Sequence, residues 1–203
     1  MKKILLVRHA ESIANKGEAT NTPPDGIPLS DLGFSQAENL IKEISLVPEI
    51  FIKSKYLRTQ QTASPIINKM PQIPHEVWDM VHEFTYLDSA RCIKMNTLER
   101  KPLVEEYWLR NDPYYNDGGN AESFHDFLLR IDDFIKKIKK RPENKIIIFT
   151  HGQFITGFKM LMQIDGLPQE NELKKFMYEF RKLMLKENIP NAAIFDASEL
   201  LDK

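Results

Sequence analysis

An arginine and a histidine stand side by side at Arg8 and His9, directly after the apolar run Ile4 to Val7. A second apolar run, Ile50 to Ile52, is followed by Ser54 and then Arg58, and a third, in "KIIIFTHG", leads into His151 and Gly152. If these three runs are neighbouring strands, two arginines and two histidines converge, and the cluster repels itself unless an anion fills it. A phosphoryl group suits such a space, because each guanidinium offers a planar fork for two oxygens. Nearby arginines disfavour protonated His9. A neutral imidazole has a free lone pair and is a competent nucleophile, and a backbone carbonyl on the other ring nitrogen would set its tautomer. A helix starting after Gly152 would add backbone N–H groups and the positive end of its dipole, with Gly152 permitting close approach. Phosphoryl transfer also needs a proton for the departing oxygen. Glu83, in "VHEF", is the candidate for a carboxylic acid held protonated near neutral pH, with Asp79 and Asp88 as nearby substitutes.

The elements that must position these groups follow from the pattern. Ile4 to Val7 reads as a short buried strand. "PLSDLGFSQAENLIKEIS" reads as a helix with Ser30 as N-cap and Leu32, Ala37, Leu40, Ile41 and Ile44 facing inward. Ile50 to Ile52 reads as a strand, and a helix is expected from about Tyr56 to Met70, kinked or broken at Pro65. "HEVWD" reads as a further strand. Residues 79 to 120 are the least regular and hold several aromatics. "SFHDFLLRIDDFIKKIKK" is a strong amphipathic helix, with Phe124, Phe127, Leu128, Ile131, Phe134, Ile135 and Ile138 at helical spacing and Ser123 with Asp126 resembling a capping box. A strand ends at His151, a helix follows, and a second helix carries the stripe Leu173, Phe176, Met177, Phe180, Met184, which reads as core. "NAAIFDA" reads as a last strand. Strands alternating with helices imply an α/β fold with a mainly parallel sheet and helices on both faces, whose site lies at the carboxyl ends of the strands.

Length and charge narrow the class. The chain has 203 residues and a formal net charge of -1. One domain is expected over residues 1–203, and nothing global points to nucleic acid or an anionic membrane as partner. Cys92 is the single cysteine, so no intrachain disulfide can form, and a reducing, cytoplasmic compartment is the simplest reading. "MKKILLV" is too short an apolar run for a signal peptide and Arg8 interrupts it; no stretch spans a bilayer. There is no HExxH, no GxxxxGK[ST] and no GxGxxG, so metalloprotease, nucleotide-dependent kinase and dehydrogenase readings have no anchor. Ser12 lacks the GxSxG turn of hydrolases and reads as a helix-start residue. His75, His82 and His125 read as structural or surface residues.

The motifs "VRHAES" with Asn15, "PLSDLGFSQAENL", "SKYLRTQQTA", "HEF", "GNAES" and "THG", taken in order, resemble those of the histidine phosphatase superfamily, the phosphoglycerate mutase-like clan with the RHG motif. The match touches most of the chain, and six motifs in order are far more specific than "RHxE" alone. The resemblance implies a three-layer α/β/α fold, a transient phosphoryl group on His9, a phosphate pocket lined by Arg8, Arg58 and His151, Glu83 as proton donor, and neither metal nor nucleotide cofactor. Asn15 matches a residue that hydrogen-bonds the phosphoryl group, although a turn-forming role reads as equally good. The chain departs from the pattern at Ala10, where the family usually has glycine. A left-handed backbone there would cost alanine roughly 1–2 kcal/mol, so either the local φ is negative or the loop differs.

Residues 79–120 are expected to form a small helical and loop lobe over the C-terminal edge of the sheet. Phe84, Tyr86 and Tyr115, with Tyr107, Trp108 and Tyr114, either line the substrate site or pack the lobe's own core. Arg91, Lys94, Arg100, Lys101 and Arg110 read as surface charges, one or two of which meet an anionic substrate. The expected activity is hydrolysis of a small phosphate ester through phosphohistidine. A phosphoglycerate-type mutase is the first alternative, disfavoured because "EFTYLDS" stands where mutases carry "ERHYG"-like residues. A phospho-ligand binding module without catalysis is the second. Neither the substrate nor the oligomeric state is legible.

Overall fold

The apolar run at the start of the chain divides its side chains between two cores, because successive residues of a strand face opposite ways. The computed structural model describes residues 2–201. In chain order the elements are β1 (Lys3–Arg8), α1 (Asp31–Glu43), β2 (Ile50–Lys53), α2 (Leu57–Lys69), β3 (His75–Val77), α3 (Ser89–Cys92), α4 (Thr97–Arg110), α5 (Phe124–Lys139), β4 (Lys145–Thr150), α6 (Gly152–Ile164), α7 (Leu173–Lys186), β5 (Ile194–Asp196) and α8 (Ser198–Leu201). The strands form one five-stranded sheet in the order β3-β2-β4-β1-β5. β1, β2, β3 and β4 pair in parallel, and β5 runs antiparallel along β1.

Ile4, Leu6, Ile146 and Ile148 pack with the buried faces of α5, α6 and α7 on one side of the sheet. Leu5, Val7, Ile147 and Phe149 pack with Leu40 and Ile44 of the α1 side and Ala63 and Ile66 of α2 on the other. The result is the expected three-layer α/β/α arrangement. The α5 stripe is buried at all seven expected positions, and Ser123 and Asp126 form the capping box. Leu173, Met177 and Phe180 of α7 are buried, with Phe176 and Met184 packed against the same core.

Three expectations are corrected. Leu32 is 54% exposed rather than inward-facing. The inward stripe of α1 is Gly33, Ala37 and Leu40, continued by Ile44, and Leu32 lies one residue, about 100°, off that line. Pro65 does not break α2, which runs through it. The proline lacks one N–H donor, but burial of Ala63 and Ile66 against the sheet holds the helix together. Ser12 starts no helix: it forms an isolated antiparallel bridge with Leu29 and opens a turn closed by Lys16 N–H donating to its carbonyl at 3.2 Å. No helix among the described residues is long and apolar enough to cross a membrane.

Candidate active site

The strand order decides where the charged groups meet. β4 lies between β1 and β2, with Arg8 level with Thr150 and Lys53 level with Phe149. The residues just past these three ends are therefore neighbours. His9 N–H donates to the Thr150 carbonyl at 2.9 Å, and Ser54 N–H donates to the Phe149 carbonyl at 3.0 Å. His151 is the N-cap residue of α6, and Arg58 is the second residue of α2. A helix side chain leans back toward its own N-terminus, which brings the guanidinium of Arg58 over the sheet edge.

Arg58 links the two histidines. Its Nε donates to His9 Nε2 at 3.2 Å and its Nη2 to His151 Nδ1 at 3.3 Å. A guanidinium can only donate, so both ring nitrogens are acceptors. His9 Nδ1–H then donates to the Ala10 carbonyl at 2.7 Å, and His151 Nε2–H to Ser54 Oγ at 3.0 Å. Both imidazoles are neutral. Burial, followed by the charges of Arg58 and Arg8, holds His9 well below the ordinary histidine value, against the opposing pull of its bond to Ala10. Burial and Arg58 do the same to His151. The two rings meet edge to face at 5.2 Å. Tyr56, which sequence reading passed over, lies edge-on to His151 at 5.0 Å and carries the Arg58 guanidinium 4.7 Å above its ring.

Arg8 turns the other way. Its Nη1 donates to the Ile189 carbonyl and to Asn188 Oδ1 at 3.4 Å, while its buried Nε has no protein partner among the described residues. A Cβ on Gly152 would lie 3.3 Å from that Nε, so the glycine is what lets the start of α6 press against Arg8. Ala10 resolves its own doubt. The non-glycine residues with left-handed backbone among those described are Lys94, Asn111, Asp165 and Ala192, so Ala10 has an ordinary φ. It is fully buried, and its N–H donates to Thr62 Oγ1 at 3.0 Å.

Glu83 approaches from the irregular segment. Its Oε1 accepts from Phe84 N–H at 3.2 Å and from Gln153 N–H at 3.1 Å. The helix-start amide of Gln153, expected to face an anion directly, thus holds the carboxyl. Burial pushes the Glu83 carboxyl up from its ordinary value, with Arg58 and Arg8 pulling it back. The two substitutes lie elsewhere. Asp79 pairs with Lys55 at 2.6 Å, which keeps it ionised, and Asp88 caps α3 through Ala90 N–H at 3.0 Å. Asn15 is turn former and site residue at once. Its Oδ1 accepts from Ser12 N–H at 3.2 Å, Ser12 Oγ at 3.0 Å and Asn191 Nδ2 at 3.2 Å. That leaves its NH₂ end to donate. Asn191 also donates to the His9 carbonyl at 3.1 Å. Nothing in the sequence marks it, because it lies 182 positions from His9.

Arg8, His9, Asn15, Arg58 and Glu83 share a cavity of about 480 Å³; His151, fully buried behind its bonds to Arg58 and Ser54, is not among the lining residues. Residues from the segment 84 to 104, Phe84, Tyr86 and Arg100 among them, also line the cavity. Tyr115 is not among the lining residues and takes the other expected role, packed against the core beside Tyr107. Its hydroxyl donates to Asp117 Oδ1 at 3.0 Å and its ring lies under Arg110 at 3.9 Å. Phe84 serves both expected roles, lining the cavity while stacking on Phe127 at 4.4 Å. Among the described residues no group of three or more His, Cys, Asp or Glu side chains could hold a metal ion.

Comparison with known proteins bears on the fold and the family. A Hydrogenobacter thermophilus protein that bears the provisional name phosphoserine phosphatase 2 is 27% identical over 168 residues, 82% of this chain and 81% of its own. The α-ribazole phosphatase structure from Shigella flexneri superposes with a TM-score of 0.66 at 22% identity, covering 87% of this chain and 84% of that one. A phosphoserine phosphatase structure from Entamoeba histolytica superposes with a TM-score of 0.69 at 18% identity, covering 96% and 89%. At such identities the two structures establish a common fold. The profile of the histidine phosphatase superfamily (branch 1) matches residues 4–176, and the chain belongs to that superfamily.

Proposed function

We propose that this chain is a phosphomonoesterase that works through a phosphohistidine on Nε2 of His9. The observation that carries the reading is His9, tethered at Nδ1, whose Nε2 accepts from a guanidinium in a cavity that the half-buried Glu83 carboxyl also lines. The phosphatase names of its relatives support the reaction class.

An arriving phosphate ester draws Arg58 from Nε2 onto a phosphoryl oxygen, with Arg8, His151 and the NH₂ end of Asn15 as further donors. His151 donates in its other tautomer or protonated. The freed lone pair of Nε2 attacks phosphorus in line as the bond to the ester oxygen breaks. Glu83 in its acid form gives its proton to the departing oxygen, and the alcohol leaves. In the second half Glu83, now a carboxylate, takes a proton from water. The water oxygen bonds to phosphorus, and the P–N electron pair returns to His9. The charge needed at the transition state comes from the guanidinium groups, so the scheme uses no metal. The segment 79–120 supplies Glu83, Phe84 and further lining residues and acts as the substrate lobe of a single unit spanning 1–203. The substrate is a small phosphorylated molecule. The single cysteine fits a reducing, cytoplasmic setting.

The test is phosphate release from p-nitrophenyl phosphate and a panel of phosphorylated metabolites, with and without chelator. Chelator-insensitive release in wild type, lost in His9→Ala, is expected. Undiminished release in His9→Ala would remove the nucleophile, and fast phosphoryl migration within 3-phosphoglycerate with little free phosphate would make the chain a mutase.

A further inference from the structure

Glu83 lies in the stretch of residues 82 to 88, outside every strand and helix, so the backbone there has no ladder to pair with. Arg130, from the middle of α5, supplies donors to it. Its Nη1 donates to the Met80 carbonyl at 2.9 Å and to the His82 carbonyl at 2.9 Å. The second is the carbonyl of the peptide bond that enters Glu83. Between them the Val81 carbonyl accepts from Thr150 Oγ1 at 2.7 Å. Three successive carbonyls ahead of Glu83 are thus fixed, two of them by one guanidinium.

Glu122, the acidic residue of "GNAES", meets the other edge of that guanidinium. Arg130 Nε donates to its Oε2 at 3.0 Å and Nη2 donates to its Oε1, a bidentate pair. Glu122 in turn holds the backbone beyond Glu83. Its Oε1 accepts from Thr85 N–H at 3.2 Å, and its own N–H donates to the Thr85 carbonyl at 2.8 Å. The Arg130 and Glu122 side chains are 13% and 16% exposed, and the guanidinium lies 5.3 Å from the centre of the Phe127 ring. Neither residue lines the cavity. A planar fork paired with a carboxylate fixes position more closely than a point charge does. General acid catalysis needs the proton within hydrogen-bond reach of the departing oxygen, which an unsupported loop does not ensure.

We propose that Arg130 and Glu122 are positioning residues for Glu83: the charge pair holds the backbone on both sides of the acid and sets where its proton is delivered. This rests on the phosphomonoesterase reading with Glu83 as donor.

Leaving-group dependence tests it. p-Nitrophenolate departs readily without a proton and phenolate does not. kcat/KM covers only the steps up to phosphorylation of His9, so its ratio for phenyl phosphate against p-nitrophenyl phosphate reads the delivery of the proton. Glu83→Gln is expected to cost phenyl phosphate roughly tenfold more than p-nitrophenyl phosphate. Arg130→Met strands the Glu122 carboxylate in a largely buried place, so Arg130→Met/Glu122→Gln is measured beside it, with Arg130→Lys, which keeps the charge without the fork. All three are expected to show the same selective loss, smallest in Arg130→Lys, which melts near wild type. In the Glu83→Gln background they are expected to add no further selectivity, because the acid they position is gone. An equal loss on both substrates, no loss, or a selective loss that adds to that of Glu83→Gln overturns the positioning role and leaves the phosphatase reading intact. No selective loss in Glu83→Gln removes Glu83 as donor and the positioning role with it. Absence of phosphate release from both substrates in wild type overturns the phosphatase reading as well.

Discussion

Arg58 Nε donates to His9 Nε2 across 3.2 Å, so the guanidinium assigned to the phosphoryl group covers the nucleophilic lone pair in the free protein. The contact adds to burial in disfavouring a protonated imidazole. It also ties the protonation of His9 to the charge of Arg58.

The acid side of the pH profile follows from that tie. His9 and His151 lie well below 6.5 in the fold, chiefly through burial and then through Arg58. A histidine depressed in the folded state lends stability above its unfolded value. That stability is lost as pH falls from about 6.5 through the folded value. Tm is therefore expected to begin to drop below about pH 6.5. Arg58→Gln is expected to raise the His9 pKa, read from its ring-nitrogen shifts in an NMR titration. A His9 titration that does not move would show that burial alone keeps the ring neutral.

Glu83 has the opposite sign. Burial raises its carboxyl above 4.5. Its contribution to stability is complete below that value and is lost as pH rises through the folded value, so at alkaline pH the ionised group costs stability. Glu83→Gln keeps an oxygen to accept from Phe84 and Gln153 N–H and removes the charge. A higher Tm at pH 8 is expected, together with a roughly 10²–10⁴-fold loss of turnover. A lower Tm at pH 8 would mean that pairing with Arg8 and Arg58 outweighs burial.

Gly33 tests the support behind the His9 loop. A Cβ there would lie 2.0 Å from the Glu11 carbonyl oxygen, an atom that also accepts from Ser30 N–H at 2.9 Å. The obstacle is backbone, which cannot rotate away. Gly33→Ala is expected to cost about 1–3 kcal/mol in urea unfolding and to lower activity by shifting the turn that carries His9 and Asn15. Wild-type stability and turnover would show that α1 can withdraw from the loop freely.

Arg8, His9, Arg58 and His151 are legible in the sequence because each follows a short apolar run, and a strand end is a local signal. The α5 face and its capping box are legible for the same reason, since helical spacing and an i,i+3 pair need only neighbouring residues. The α1 stripe was misjudged at Leu32 because the contact that sets the helix's phase is Gly33 against Glu11, made by a residue with no side chain to count. Tyr115 stays open between site wall and core in the sequence because an aromatic in an irregular segment fits both, and packing decides for the core.

By itself the sequence determined the kinds of groups available, the alternation of strand and helix, and the motif order that places the chain in its superfamily. Only the tertiary structure decided that β4 lies between β1 and β2, which makes neighbours of positions 8, 54 and 151. It alone brought Asn191 to the His9 carbonyl and the segment 84 to 104 to the cavity. Those partners are set by packing between segments far apart along the chain, and local periodicity carries no record of which distant segment a strand end or helix face will meet.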